Sequence, residues 1–258
     1  MLALHHRAGI EYHVSTLHKL KLLSRRVGLD VGRFPQDAAG YGLYRSLTAT
    51  HPKTILDVGA NDGGFARLIR AFGCTATIVS FEPLQEVADQ LRANASHDPD
   101  WNVLQLALGA RNEERQINVA ANSGASSSLL AMAQRHRDAS PAAVYVGKER
   151  VSVRRLEDVA AEHGKSWGSV ALKVDTQGFE RAVLEGAGTF LNDVVAVQLE
   201  LSIAELYEGA WQWQEAVNWL RGRGFELSAV DPGFCDVNTG EMLQFDGVFA
   251  RIPGSERR

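Results

Sequence analysis

Residues 54–65, Thr-Ile-Leu-Asp-Val-Gly-Ala-Asn-Asp-Gly-Gly-Phe, constrain the chain more than any other stretch. An apolar run, TILDV, reads as a buried strand, and a glycine-rich loop then opens a helix over 65–72. Gly59 allows the backbone a tight turn and close approach to a ligand. Gly63 and Gly64 let the helix start lie against the sheet. A second apolar strand, 76–81, ends in Phe81-Glu82-Pro83, with Glu82 23 residues after Gly59. A carboxylate at that strand end can accept hydrogen bonds from both ribose hydroxyls of an adenosine. Pro83 suits the first turn of the following helix, 84–95.

The glycines read GxxxGG rather than the GxGxxG of dinucleotide-binding loops, and the P-loop pattern is absent. The missing middle glycine argues against a pyrophosphate and so against an NAD-dependent oxidoreductase. Asp57 either orders the loop or reaches an ammonium group, which S-adenosylmethionine carries and NAD lacks. The residues expected around this cofactor are Asp57, Gly59, Ala60, Asn61, Gly63, Phe65, Glu82 and Pro83, with Ser127 from the small, polar segment 123–129 at its methionyl end. A non-catalytic adenosyl-binding protein is the competing class.

Further strands are expected over 101–108, 114–121, 150–156, 169–175, 194–201, 225–230 and 244–251, with helices over 179–187 and 210–223. Residues 123–148 have no clear assignment. Strands alternating with helices imply a mostly parallel sheet covered on both faces, with ligands beyond the carboxyl ends of its strands. Two carboxylates stand at such ends. Asp175 closes the strand 171–174 and is the expected general base. Glu200 sits near the end of the next strand. On one rim the two are suited to share a Mg²⁺, which prefers oxygen ligands. Lys173 shares a strand face with Asp175 and is expected to pair with it. Glu180 either bonds the loop or faces the acceptor.

Composition narrows the partners. The net charge of −4 disfavours long nucleic acids. Residues 1–35 nevertheless carry six Lys and Arg against two acidic residues. Leu17, Leu20, Leu23 and Val27 recur there at helical spacing. Residues 1–50 are therefore read as a helical, partly basic segment ahead of a domain at 51–258. Its basic side either faces solvent or touches an anionic membrane surface. Two isolated cysteines fit a reducing cytoplasm, and no apolar run approaches a membrane span. A homodimer is compatible with the sequence but not required by it. Of the eight histidines, only His163 is kept as a remote base. Trp211, Trp213 and Trp219 suit either a packed helix face or a sugar.

These motifs resemble the FkbM family of methyltransferases. The likeness rests on DVGANDGGF (57–65), FEP (81–83), SGASSSL (123–129), VRRLED (153–158), LKVDTQGFERAVLEGA (172–187), QLEL (198–201) and DGVFAR (246–251). It covers about 54–251 and leaves the first 50 residues undiagnosed. The resemblance implies a Rossmann-like, seven-stranded class I methyltransferase fold with an antiparallel last strand. It implies S-adenosylmethionine-dependent O-methylation, commonly of sugar or polyketide hydroxyls. The expected acceptor is a sugar hydroxyl of a glycolipid or glycoside; the alternative is a soluble polyketide-type metabolite.

Overall fold

A computed structural model describes residues 16–29 and 31–251. The chain divides into two compact units, one ending at Tyr41 and one beginning at Gly42. In the first, the segment with leucines at helical spacing forms helix α1 (Thr16–Arg25), on which Leu20 and Leu23 are exposed. Val27 falls beyond its end, in a turn closed by Gly28 at φ +77°. Lys21 pairs with Asp37 at 2.8 Å. His5, His6 and His13 lie outside the described residues. Among the described residues no helix is long and apolar enough to cross a membrane.

Helix α2 (Tyr41–Leu47) leads into the second unit and buries Leu43 and Leu47. Then follow β1 (Thr54–Val58), α3 (Gly64–Ala71), β2 (Thr77–Phe81), α4 (Gln85–Ala95) and β3 (Trp101–Leu104). Next come β4 (Ala107–Leu108), β5 (Glu113–Ala120), α5 (Gln134–Ala139), β6 (Tyr145–Arg154) and α6 (Leu156–His163). The chain continues through β7 (Val170–Val174), α7 (Glu180–Gly186), β8 (Val194–Ser202), α8 (Trp213–Arg221), β9 (Phe225–Pro232) and β10 (Gln244–Arg251).

Seven strands form one sheet in the order β3-β2-β1-β7-β8-β10-β9. Strands β3, β2, β1, β7 and β8 pair in parallel, whereas β10 runs antiparallel to both β8 and β9. This is the expected class I methyltransferase arrangement. β1 and β7 are buried at every position, as central strands covered on both faces must be. Alternation sends Leu56, Val58, Leu172 and Val174 into one core layer and Ile55 and Ala171 into the other.

The segment read as one strand over 101–108 is two. β3 belongs to the large sheet, but β4 joins β5 and β6 in a separate three-stranded sheet. The expected short strand 150–156 is the end of the ten-residue β6, which pairs antiparallel with β5. Within 123–148 lie α5, a short 3₁₀ turn at Pro141–Ala143 and the start of β6. The period-2 signal fails in β6 because YVGKER (145–150) is largely solvent-exposed and carries little apolar alternation.

Candidate functional site

Chain order reverses at β1, whose neighbours are β2 on one side and β7 on the other. The crevice beyond their carboxyl ends is where ligands bind in such sheets. Gly59, Glu82 and Asp175 all stand there.

The loop after β1 is held closely. The Gly59 and Ala60 N–H groups both donate to Phe81 O at 3.0 Å. Gly59 has φ +75°, and a Cβ there would lie 1.9 Å from Asp175 O. Gly63 has φ +86°, and its Cβ would meet the Trp101 ring at 2.6 Å. Both glycines are thus required by contact as well as by conformation.

Glu82 is 6% exposed. One carboxylate oxygen accepts the Asn61 N–H and the other the Leu84 N–H, each at 3.0 Å. Burial pushes its pKa up to about 7, against the two N–H groups, which favour the charged form. Each oxygen keeps a free lone pair, so both ribose hydroxyls can still be received.

Beneath the loop lies a buried ion pair. Lys173 Nζ stands 3.1 Å from Asp57 and 3.6 Å from Asp175, and donates to Gly59 O at 3.3 Å. Burial alone would lower the Lys173 pKa, but Asp57 and Asp175 outweigh it and raise the value. Ser80 Oγ donates to Asp57 at 3.3 Å, and Trp101 Nε1 donates to Ser80 at 2.9 Å.

Two adjoining cavities open at this point. The first is lined by Gly59, Asn61, Glu82, Pro83, Leu106, Leu108, Ser127 and Phe179, among others. The second is walled by Asn122, Ser126, His136, Ser140, Glu200, Phe234 and Gln244. Gly59, Asn61, Ala125, Asp175 and Gln177 border both. The first has apolar walls and the Glu82 carboxylate, features that suit an adenosine; the second is more polar.

Of the expected cofactor residues, Gly59, Asn61, Glu82, Pro83 and Ser127 line the first cavity. The other four, Asp57, Ala60, Gly63 and Phe65, line neither cavity. Asp57 is fully buried and neutralised by Lys173, so it orders the loop rather than meeting an ammonium group. Ala60 is buried in the core. Gly63 packs on Trp101, and Phe65 packs on the same core layer with Lys173 Nζ 5.5 Å from its ring centre. Ser127 Oγ accepts the Ala120 N–H at 3.0 Å, which ties its segment to β5.

The carboxylates at the rim are joined by Gln177, a residue that the sequence did not single out. Its Nε2 donates to Asp175 at 2.9 Å and to Glu200 at 3.0 Å. Tyr207 OH donates to its Oε1 at 2.6 Å, which fixes the direction of the amide. Gln177 has φ +56°, and Ser128 Oγ donates to its carbonyl at 2.7 Å. Burial, then the Asp175 charge, raises the Glu200 pKa well above the ordinary carboxylate value. Glu180 faces the loop, accepting N–H groups of Thr176 and Gly178 at 2.9 and 3.0 Å.

This donor set does not fit the expected Mg²⁺. An amide N–H₂, itself unable to ligate a cation, sits between Asp175 and Glu200. Among the described residues no three His, Cys, Asp or Glu side chains converge on one point. His163 stacks on Trp167 at 4.6 Å and lines neither cavity. Trp211 and Trp219 pack on each other at 5.6 Å, and Trp213 on Phe245 at 6.2 Å. All three tryptophans border the core, which favours the packing reading over sugar stacking.

Comparison with known proteins follows the same residues. Residues 57–227 match the Methyltransferase FkbM domain. The 2-O-methyltransferase NoeI of Sinorhizobium fredii (strain NBRC 101917 / NGR234) is 28% identical over 193 residues, 72% of this chain and 78% of that protein. Among solved structures, M. capricolum TrmK in complex with S-adenosyl-homocysteine is 7% identical, covering 81% of this chain and 67% of that one at a TM-score of 0.45. Aeropyrum pernix fibrillarin with bound S-adenosyl-L-methionine is 10% identical, covering 81% and 76% at a TM-score of 0.45. Those two likenesses are too distant to bear on the acceptor. The family match spans the glycine loop, Glu82 and both rim carboxylates, and the chain accordingly belongs to the FkbM methyltransferases, enzymes that use S-adenosylmethionine as methyl donor.

Proposed function

We propose that the methyl group goes to a hydroxyl, and that the acceptor is a sugar of a glycolipid or glycoside. One observation carries this reading: Asp175 borders both cavities, with its side chain 36% exposed and held by Lys173 and Gln177. A hydroxyl is a weak nucleophile while protonated, and a carboxylate at the junction is placed to take its proton. Bound S-adenosylmethionine supplies a methyl group already activated as a sulfonium. Gln177 and Lys173 fix the direction of the Asp175 carboxylate. Glu200 holds its proton more tightly than an ordinary carboxyl and still receives the Gln177 N–H.

The second cavity supports a polyhydroxylated acceptor. Asn122, Ser126, Ser140 and Gln244 offer hydroxyl and amide groups, and Phe234 offers an apolar face. The relative NoeI is named a 2-O-methyltransferase, which supports transfer to oxygen. A lipid-linked form of the acceptor draws on Arg25 and Arg26 at the end of α1, suited to an anionic surface.

The test uses methyl-labelled S-adenosylmethionine and an extract of the source cells. The expected product is an ether stable to mild alkali, and label in the organic phase marks a lipid-linked acceptor. Label that is alkali-labile or on nitrogen would sink the hydroxyl reading. Asp175→Asn should lower kcat by roughly 10²–10³ with S-adenosylhomocysteine affinity unchanged; wild-type turnover would remove Asp175 as the base.

A further inference from the structure

His136 has no part in the methyl transfer itself, yet it lines the second cavity, which Asp175 also borders. Helix α5 carries it inward, and it is 4% exposed. Its ring stands edge-on to Tyr207 at 5.1 Å and tilted to Phe234 at 5.6 Å. These contacts fix the ring but satisfy neither nitrogen. Nδ1 is buried and has no hydrogen-bond partner among the described residues. Buried polar atoms are normally paired, so an orphan on a ring that lines a cavity marks a place where a ligand group can complete the bond. Burial lowers the His136 pKa, which keeps the imidazole neutral and able to accept a hydrogen bond through one ring nitrogen.

We infer that His136 is an acceptor-binding residue: its unpaired ring nitrogen receives a hydrogen bond from a second hydroxyl of the acceptor while the reacting hydroxyl lies at Asp175. The inference rests on the hydroxyl reading above and narrows it. The acceptor carries at least two hydroxyls, and His136 selects which of them meets the methyl donor. Asp175 borders both cavities whereas His136 borders the second alone, so the proton-accepting and orienting tasks fall to different residues. Tyr207 links the two, because it packs on the His136 ring and donates to Gln177.

The experiment compares wild type, His136→Phe and His136→Asn. The phenylalanine keeps the ring contacts without a nitrogen; the asparagine returns an acceptor near the Nδ1 position. Initial rates are measured with labelled S-adenosylmethionine and the acceptor fraction purified from source cells, and S-adenosylhomocysteine affinity by calorimetry. His136→Phe should raise KM for the acceptor fraction about tenfold, with kcat within about twofold and donor-product affinity unchanged. His136→Asn should recover most of that loss. Wild-type KM in His136→Phe would overturn the inference. So would an asparagine variant no better than phenylalanine, or a fall in S-adenosylhomocysteine affinity in both, which would mark a structural residue. If His136→Phe does not fold, the ¹⁵N resonance of His136 Nδ1 in the wild type decides: it moves on addition of the acceptor fraction if the inference holds, and stays put if it fails. A wild-type product labelled on nitrogen or carbon removes the hydroxyl reading itself. An ether product with unchanged KM in His136→Phe removes the role of His136 alone.

Discussion

Glu82 receives two backbone N–H groups and still has lone pairs for a ribose, all at a site where a charge is costly. Its raised pKa, about 7, gives the cofactor site a pH dependence. Ribose hydroxyls donate to the ionised form, so S-adenosylhomocysteine affinity should fall as pH drops through 7. Glu82→Gln should weaken binding at pH 8 by about tenfold or more and flatten that profile in calorimetric titrations. Gln177 invites a different change. Gln177→Leu removes the N–H groups shared by Asp175 and Glu200 and leaves the Tyr207 hydroxyl the longer bond to the Ser126 carbonyl, at 3.3 Å, in place of Gln177 Oε1. Chemical denaturation should show a loss of about 1–3 kcal/mol. Turnover should fall while S-adenosylhomocysteine binding is kept, because Glu82 is untouched. Activity should also persist in EDTA, since the amide occupies the place a cation would need.

At the scale of elements, the loop between β1 and α3 is the least tolerant part of the molecule. Gly59→Ala combines a positive φ with a Cβ placed 1.9 Å from a backbone carbonyl. The β1–β7 junction would have to part to admit it. We expect a loss of about 3 kcal/mol or more, or no soluble protein, in denaturant unfolding. The same loop was also the most legible in sequence, because glycines forced by sterics leave a mark at fixed spacing. β1, β2, β7, β8 and β10 were legible for a related reason: strands covered on both faces, or alternating cleanly, carry their signal in consecutive residues. The three-stranded sheet was not. β4 has two residues, and β6 is mostly solvent-exposed along its first half. Gln177, Tyr207 and His136 were illegible because their meaning lies in contacts between segments distant along the chain. Asp57, Ala60, Gly63 and Phe65 line neither cavity, and sequence alone does not separate them from Gly59 and Asn61, because residues that shape a loop share its motif with those that line it.

For the molecule as a whole, buried carboxyls set the response to pH. Glu82, Glu180, Glu200 and Asp246 all have pKa values raised, chiefly by burial. A raised folded pKa means that the folded state keeps a proton that the unfolded chain has released. Stability from these groups is therefore fully present below the ordinary carboxyl range and is lost as pH rises through the folded values, about 7 for Glu82 and about 6 for Asp246. Asp98 and Glu157 act oppositely through lowered values, but they are solvent-screened. Thermal unfolding should thus occur at higher temperature near pH 5.5 than at pH 8, and Glu82→Gln should narrow the difference. The three-stranded sheet has a consequence of another kind. It enters the chain between β3 and β7 and, with the segment leading into α5, brings Asn122, Ser126, His136 and Ser140 to the second cavity. None of these residues belongs to β1, β2 or β7, whose carboxyl ends lead into Gly59, Glu82 and Asp175. The protein is in that sense a fixed engine with an exchangeable nozzle. A chimaera that takes residues 121–144 from another family member should keep its donor affinity while changing where the methyl group lands.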